Sequence, residues 1–453
     1  MTECHEDGGL PRAAAKSGNE RLSWEFGGGH GPCGDLKVVE AVDHQREARA
    51  REFIFPVRPA QSALLNAVAE AGLPPESLGA TESIGLLQAL AAVPDPRKAR
   101  GRRHGLQSIL LLAVGAVLAG ARSYAAIAQW AAHAEQAVSV CGPTPHATTF
   151  GRVLAAVDAA ALQRALTGWV LARRQDRQRQ RAQHVRPRGE VRPVLAVDGK
   201  TLRGARDGPG GQAKLIAVFD HAEGLALAQV EVSGGDELAA FTAVLDTVPD
   251  LRDLVVTADA LHCQRAHANY LHNRGAHYLF TVKSNQPTLR TALARLPWAQ
   301  VTGLRERHVG HGRAESRSIK VIGLAGAPEA GLFPHGARAI KVVRRRRVTG
   351  HASPSVETVY AITSLDHRDA DPRLLAAWIR SHWTIENCLH WVRDVTEGED
   401  QSRVRTGHGP QVMAALRNTA INIIRLRGGT NIAAAHRDFS YRPADVLDAL
   451  AAA

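Results

Sequence analysis

Between residues 194 and 282 the apolar side chains fall into short runs that switch between a strand period and a helix period, and no other feature so limits what the chain can fold into. Residues 194–197, Val-Leu-Ala-Val, make a run of strand length that stops at Asp198. Residues 214–220 and 225–232 are two more, joined by His221-Ala-Glu-Gly224, and read as an antiparallel hairpin. Residues 238–248 have helical spacing, 254–257 form another strand running out into Ala258-Asp259, and 264–274 are helical and closed by Gly275. Residues 278–282 make the fifth strand.

Three strands, helix, strand, helix, strand is the order of a ribonuclease H-like core, a mixed α/β sheet. Its first carboxylate, Asp198, falls on the first strand and its second, Asp259, at the end of the fourth, so both approach one edge where loops can hold a metal. Residues 288–371 turn strand-rich and irregular, with runs at 318–322, 337–343 and 356–363, and read as a β-rich insertion. A helical period returns over 373–392. There Leu375, Ile379, His382, Trp383, Glu386, Leu389 and Arg393 follow three- and four-residue steps, a stripe expected to turn Glu386 inward.

The remaining segments set the domain limits. Residues 1–55, rich in Gly and charge without a sustained period, are expected to be a disordered extension. Helical spacing around Pro74-Pro75, then over 106–121, 124–132 and from 148 toward Trp169, makes 56–172 a helical N-terminal domain, with DNA reading and plain docking both open. The Arg- and Gln-dense stretch 173–192 has no apolar face and reads as a basic linker. The core then takes 193–287, the insertion 288–371, the rest of the core 372–430, and a tail 431–453.

A net charge of +12 and a pI near 9.9 favour an anionic partner, nucleic acid first. Five cysteines without Cys-x-x-Cys spacing suggest neither a disulfide framework nor a structural zinc, which suits a reducing cytoplasm. The longest apolar run, 109–121, is too short for a bilayer, and the start lacks a signal-peptide pattern, so a cytoplasmic location without a membrane partner is expected.

Two Asp and one Glu are the ligands that in-line phosphodiester chemistry asks for. One divalent ion activates the attacking oxygen and a second, roughly 3.5–4 Å away, stabilises the leaving oxygen; carboxylate oxygens suit Mg²⁺ or Mn²⁺. Each acid also has a plain structural use. Asp198 and Asp259 stand where strand-end turns and caps place Asp, and Glu386 could be answered by Arg393 or His382. Gly199-Lys200-Thr201 is not a phosphate loop, since Val194 occupies the position that would need glycine. The run Arg344-Arg-Arg-Arg347 reads as a solvated strand edge, and Trp383 and Trp391 as core or interface.

At these residues the chain resembles the ISAs-type insertion-sequence transposases of the DDE class, which include the H-repeat-associated proteins. The resemblance runs from about Leu86 to Arg427 through blocks in one order: Val93-Pro-Asp-Pro-Arg-Lys-Ala-Arg-Gly101, Ala125-Ala-Ile-Ala-Gln-Trp130, Val197-Asp-Gly-Lys-Thr-Leu-Arg-Gly204 and Thr257-Ala-Asp-Ala-Leu-His-Cys-Gln264. Lys283-Ser-Asn-Gln286, Gly310-His-Gly-Arg313, Tyr360-Ala-Ile-Thr-Ser364 and the stretch from His382 to Asp394 follow. It implies that Asp198, Asp259 and Glu386 are the catalytic triad holding two Mg²⁺ or Mn²⁺ ions, and that the N-terminal helices are the family's associated domain. It further implies double-stranded DNA as partner, both element ends and target, with self-association on DNA and no small-molecule substrate. Contacts to DNA are expected at Lys200, Arg203, Lys283, Asn285, His382 and Arg393. The chain departs from the wider group in having Ile379, His382 and Arg393 where a Tyr, an Arg and a Lys surround the Glu, and Glu397 where an apolar residue is usual. The implied activity is cleavage of the element ends and transfer of the freed 3′-hydroxyl to target DNA. The alternatives are an inactive DNA-binding relic and a nuclease of the same fold that does not join strands.

Overall fold

The structure, a computed structural model, describes residues 85–138, 144–184, 192–207, 211–310, 313–326, 331–348, 353–369 and 371–453. The expected extension and the first expected helix, before Pro74-Pro75, lie outside the described residues. The N-terminal helices are α1 (Leu86–Ala91), α2 (Leu106–Leu118), α3 (Tyr124–Val138), α4 (Ala147–Ala156) and α5 (Ala159–His184). α2 is apolar on nearly every side because nearly every side is buried. α5 begins where the Asp158 carboxylate accepts the Ala160 and Ala161 N–H groups at 2.9 and 3.0 Å. It then runs into the stretch expected as a linker. There Arg174 bonds Asp220 at 2.6 Å, and Arg177 and Arg181 bond Glu223 at 3.0 and 2.5 Å, so distant acids turn a segment without an apolar face into a docked helix.

The strand runs fold in the expected order. β1 (Val194–Asp207), β2 (Gly211–Asp220) and β3 (Ala226–Glu231) form an antiparallel meander, α6 (Glu237–Asp246) follows, and β4 (Val255–Ala258), α7 (Arg265–Asn273) and β5 (His277–Val282) continue the chain. β4 lies parallel to β1 and β5 parallel to β4, which makes β3-β2-β1-β4-β5 a ribonuclease H-like core. The insertion is not a separate unit. After α8 (Pro287–Arg295), strands β6 (Leu304–Gly310), β7 (Arg313–Gly323), β8 (Arg338–Val348) and β9 (Ser355–Thr363) extend the same sheet to nine strands, because β9 pairs with the otherwise open edge of β5.

Register and alternation assign the two faces. Val194, Val255, Leu279, Ala361, Ile340 and Ile319 line one face beneath Leu375 and Trp378 of α9 (Pro372–Ser381). On the other, Phe280 meets Phe241 of α6 and stacks with Tyr278. α10 (Gly409–Leu426) is buried from Val412 to Ile424 between the N-terminal helices and β3. Its Asn422 amide accepts from the Ala226 N–H at 2.9 Å and donates to the Ala226 carbonyl at 2.8 Å, covering the backbone of the edge strand β3. The expected tail is in fact α11 (Ile432–Tyr441) and α12 (Pro443–Ala451), the latter packed on α2 and α3 through residues such as Val446 and Leu450. Among the described residues no helix is long and apolar enough to cross a membrane.

Glu397, where the resemblance led us to expect an apolar residue, is buried and answered by His436 of α11. The two ring nitrogens of His436 meet the Leu118 carbonyl and the Glu397 carboxylate, each at 2.7 Å. Both partners accept, so the ring is held as imidazolium; burial opposes the charge, but Glu397 outweighs it and raises the pKa above 6.5. A raised folded pKa means stability that is complete below the unfolded value and lost as pH climbs through the folded one. The melting temperature is therefore expected to fall as pH rises above about 6.5. His436→Gln should melt lower at mildly acid pH and flatten that dependence; a variant that keeps the wild-type slope would place the titrating group elsewhere.

Candidate active site

The sheet register itself brings the two aspartates together. Val197 is the partner of Ala258 across the parallel pair β1 and β4, so the next positions, Asp198 and Asp259, stand side by side on the face that α9 covers. Adjacent strands lie about 4.8 Å apart, so the two backbones leave the parallel pair side by side. Asp259 also accepts the Leu261 N–H at 2.8 Å, capping the turn Ala260–His262, so its structural use coexists with its place at the site. That turn is braced from the end of β5: the Asn285 amide donates to the Ala260 carbonyl, and Gln286 to the Cys263 carbonyl at 2.9 Å. The block Lys283-Ser-Asn-Gln286 thus holds the Asp259 turn, a role that sequence reasoning did not give Asn285.

The third segment departs from the expected helix. α9 stops at Ser381, a turn follows at His382 and Trp383, and the chain rewinds in two π turns, Glu386–His390 and Val392–Thr396. Wider turns shift the faces, and Glu386 is exposed rather than inward, while Ile385, Leu389 and His390 take the buried positions. His382 and His390, four residues on either side of Glu386, both serve the aspartates. His390 Nδ1 is 3.4 Å from Asp198 Oδ2, and His382 feels the charge of both Asp198 and Asp259. Burial alone would raise the Asp198 pKa; His390 and His382 outweigh it and lower it, so this carboxylate is ionised at neutral pH. His382 Nδ1 meets Thr257 Oγ1 at 3.1 Å, which also meets His221 at 3.2 Å. Burial drives the His221 pKa down to about 3, so that ring is neutral at pH 7, and burial also lowers that of His382 against the pull of the aspartates. None of the His221, Thr257 and His390 roles was foreseen; the four-residue steps 382, 386, 390 were the available signal.

Two expected DNA contacts are drawn inward instead. Lys200 is buried and ion-paired with Asp394. Arg393 has no exposed surface and grips Glu399 through both ends of its guanidinium, at 2.8 to 3.1 Å, so a phosphate cannot reach it in this conformation. Arg203 remains exposed, 3.4 Å from Asp400, and Lys283 is half-buried close enough to act on His382. Trp391 is 48% exposed rather than core. Cys388 is disulfide-bonded, which spacing along the chain could not foretell because pairing is decided in space. Behind the aspartates, on the opposite face, the Glu237 carboxylate fills the space where a Gly199 side chain would be, and buried His262 approaches it at 3.6 Å.

Among the described residues no group of three or more His, Cys, Asp and Glu side chains is placed to hold an ion alone. The donor set nevertheless fits a hard cation. Two ionisable carboxylates stand in register with an exposed third on the facing segment, and Mg²⁺ keeps waters and substrate phosphate as ligands instead of needing a closed cage.

The chain is similar to known proteins over most of its length. Residues 189–423 match the family described as "Transposase DDE domain", and residues 87–170 the one described as "DDE_Tnp_1-associated". "Putative transposase YncI" of Escherichia coli O157:H7 is 28% identical over 366 residues, covering 76% of this chain and 89% of that protein. "H repeat-associated putative transposase YhhI" of Escherichia coli strain K12 is 26% identical over 359 residues, covering 75% and 90%. A solved structure named "Cryo-EM structure of piggyBac transposase synaptic complex with hairpin DNA (SNHP)" aligns with 79% of this chain and 75% of that one, at 9% identity and a TM-score of 0.37. The fold assignment rests on strand order, not on that likeness.

Gly204, at the end of the block that starts with Val197, shows why that block has a glycine there. A Cβ on it would stand 2.6 Å from the Ser402 carbonyl oxygen, so β1 and the segment after the π turns approach backbone to backbone. Gly204→Ala is expected to cost about 1–3 kcal/mol of unfolding free energy, because a backbone atom cannot swing away as a side chain can. Urea denaturation measures it; an unchanged midpoint would mean that the approach is not rigid.

Proposed function

The chain belongs to the transposases with a DDE domain, and from that premise we propose that it binds the inverted ends of its own element, cuts there in a metal-dependent step and joins the freed 3′-hydroxyl to target DNA. Asp198, Asp259 and Glu386 are the proposed catalytic triad. The observation that carries the reading is that Asp198 and Asp259 each follow directly on the last parallel pair, Val197 and Ala258, and that both act on His382 while His390 meets Asp198.

Each residue has a task in this reading. Asp198, kept ionised by His390 and His382, and Asp259, fixed by its turn, would hold Mg²⁺ or Mn²⁺ together with Glu386. Two such ions supply activation of the attacking oxygen and charge stabilisation at the leaving oxygen. Thr257 fixes the orientation of the His382 ring, and Glu386 takes an exposed position on the segment between His382 and His390. Arg203 and Lys283 are the proposed phosphate contacts at the rim; the net charge of +12 supports long-range attraction of DNA.

Asp198→Asn, Asp259→Asn and Glu386→Gln are each expected to reduce cleavage of a duplex carrying the gene's flanking inverted repeats by about a thousandfold or more, with DNA affinity changed only a few-fold. Mg²⁺ and Mn²⁺ should support cleavage and Ca²⁺ should not. Robust cleavage in a chelator, or by the amide variants, would refute the assignment; cleavage without joined product would make the protein a nuclease.

A further inference from the structure

The four-arginine run on β8 does not act as one patch, because strand alternation splits it between the two faces of the sheet. Arg344 and Arg346 fall on the face under α9 with Glu315, which bonds Arg344 at 2.7 Å and Arg317 at 2.6 Å; Glu306, on the same face, bonds Arg380 of α9 at 3.1 Å. Arg317, Arg344 and Arg380 on that face each meet an acid. Arg345 falls on the other, where the register sets Lys320 opposite Lys341, Ser316 opposite Arg345 and Arg305 opposite Ser318. There Arg305, Lys320, Lys341 and Arg345 line a groove of about 520 Å³ that has no acidic side chain in its wall.

The groove is built rather than incidental. Lys320 Nζ donates to the Trp298 carbonyl at 2.6 Å, and Lys341 Nζ stands 6.0 Å from the centre of the Trp298 ring. Trp298 is only 5% exposed, so it braces two ammonium groups and offers no stacking face. Same-face side chains on a strand recur every ~6.8 Å, which spreads the cations and the hydroxyls of Ser316 and Ser318 into a lattice of donors.

We propose that this groove docks the sugar–phosphate backbone of DNA outside the segment that reacts at Asp198 and Asp259. Cations and hydroxyls without acids suit phosphate oxygens, contacts that fix position on a duplex and carry no sequence information. The groove lies on the face opposite the aspartates, and β8 is three strand spacings, ~14 Å, from β4. It therefore serves a flanking or second stretch of DNA. The partner rests on the transposase reading.

Full-length protein is titrated with duplex DNA of arbitrary sequence over a range of salt. The double variant Lys341→Gln/Arg345→Gln is expected to flatten the slope of log affinity against log salt by about two units with an unchanged melting temperature. Arg344→Gln, on the other face of the same strand and paired with Glu315, should keep the wild-type slope. An intact chain that does not bind DNA would remove the transposase reading itself; a steep intact slope that the double variant retains would overturn the groove alone. If the double variant does not fold, acylation of Lys341 in the wild-type protein, read by mass spectrometry, decides. Slower labelling in the DNA complex, reversed by high salt, is expected; full reactivity in a saturated complex, or protection by heparin but not by DNA, overturns the proposal.

Discussion

The site depends on a buried ion cluster that contains no proposed catalytic group. Arg393, at the second π turn, takes both oxygens of Glu399 in three bonds, and Arg417 of α10 adds a fourth at 3.0 Å. Gln229 of β3 accepts from Arg393 at 3.4 Å and from Asn418 at 2.9 Å. One network thus ties the segment after Glu386 to the central helix and to the edge of the sheet. Burial would raise the Glu399 pKa, but Arg393 and Arg417 outweigh it and hold it below its usual value, so the cluster stays charged. Such a cluster adds little net stability over an apolar core, whereas losing one partner costs about 3–5 kcal/mol. Its function is geometric: apolar packing alone would let the π segment slide, and the fork of a guanidinium on a carboxylate does not.

That constraint explains why the central helix is polar where it is most buried. Arg417, Asn418 and Asn422 lie along α10, with Ala226, Gln229 and Glu399 as partners. Each bond has one acceptable register, so the helix cannot shift by a turn between the N-terminal helices and β3 without leaving buried polar groups unsatisfied. His436 and Glu397 repeat the device one helix further out. The N-terminal helices, α10 and the C-terminal pair therefore form a single layer against the sheet, and the apparent tail is part of what keeps the π segment in place.

The core strands, their order and the two aspartates were legible in the sequence because strand runs ending in Asp, with helices between them, leave few topologies open. What escaped depended on partners far away in the chain. The stretch 173–192 has no apolar face of its own and is helical through His184 because Asp220 and Glu223 lie across it. Glu386 was read inward on a period of 3.6, which π turns do not keep. Arg393 and Lys200 were read as surface cations, and their acids, Glu399 and Asp394, could be matched to them only in space. The arginines of β8 looked like one block until pairing with β7 sorted them by face.

The three acids of the site are consequently fixed by unlike means, and the difference bears on the chemistry. Asp198 and Asp259 follow directly on the last residue pair of two parallel strands, so the sheet backbone sets where both begin. Glu386 stands on an irregular winding whose position is imposed from behind by Arg393 and, beyond it, by the backbone approach of Ser402 to Gly204. A reacting constellation tolerates errors of only about 0.5 Å. A regular α-helix continued from α9 would need no such restraint but would turn the exposed carboxylate toward the core, where the cost of an unpaired charge would forbid it. The irregular segment leaves Glu386 at an exposed position between two histidines directed at the aspartates, and the buried ion cluster is the physical condition for that irregularity.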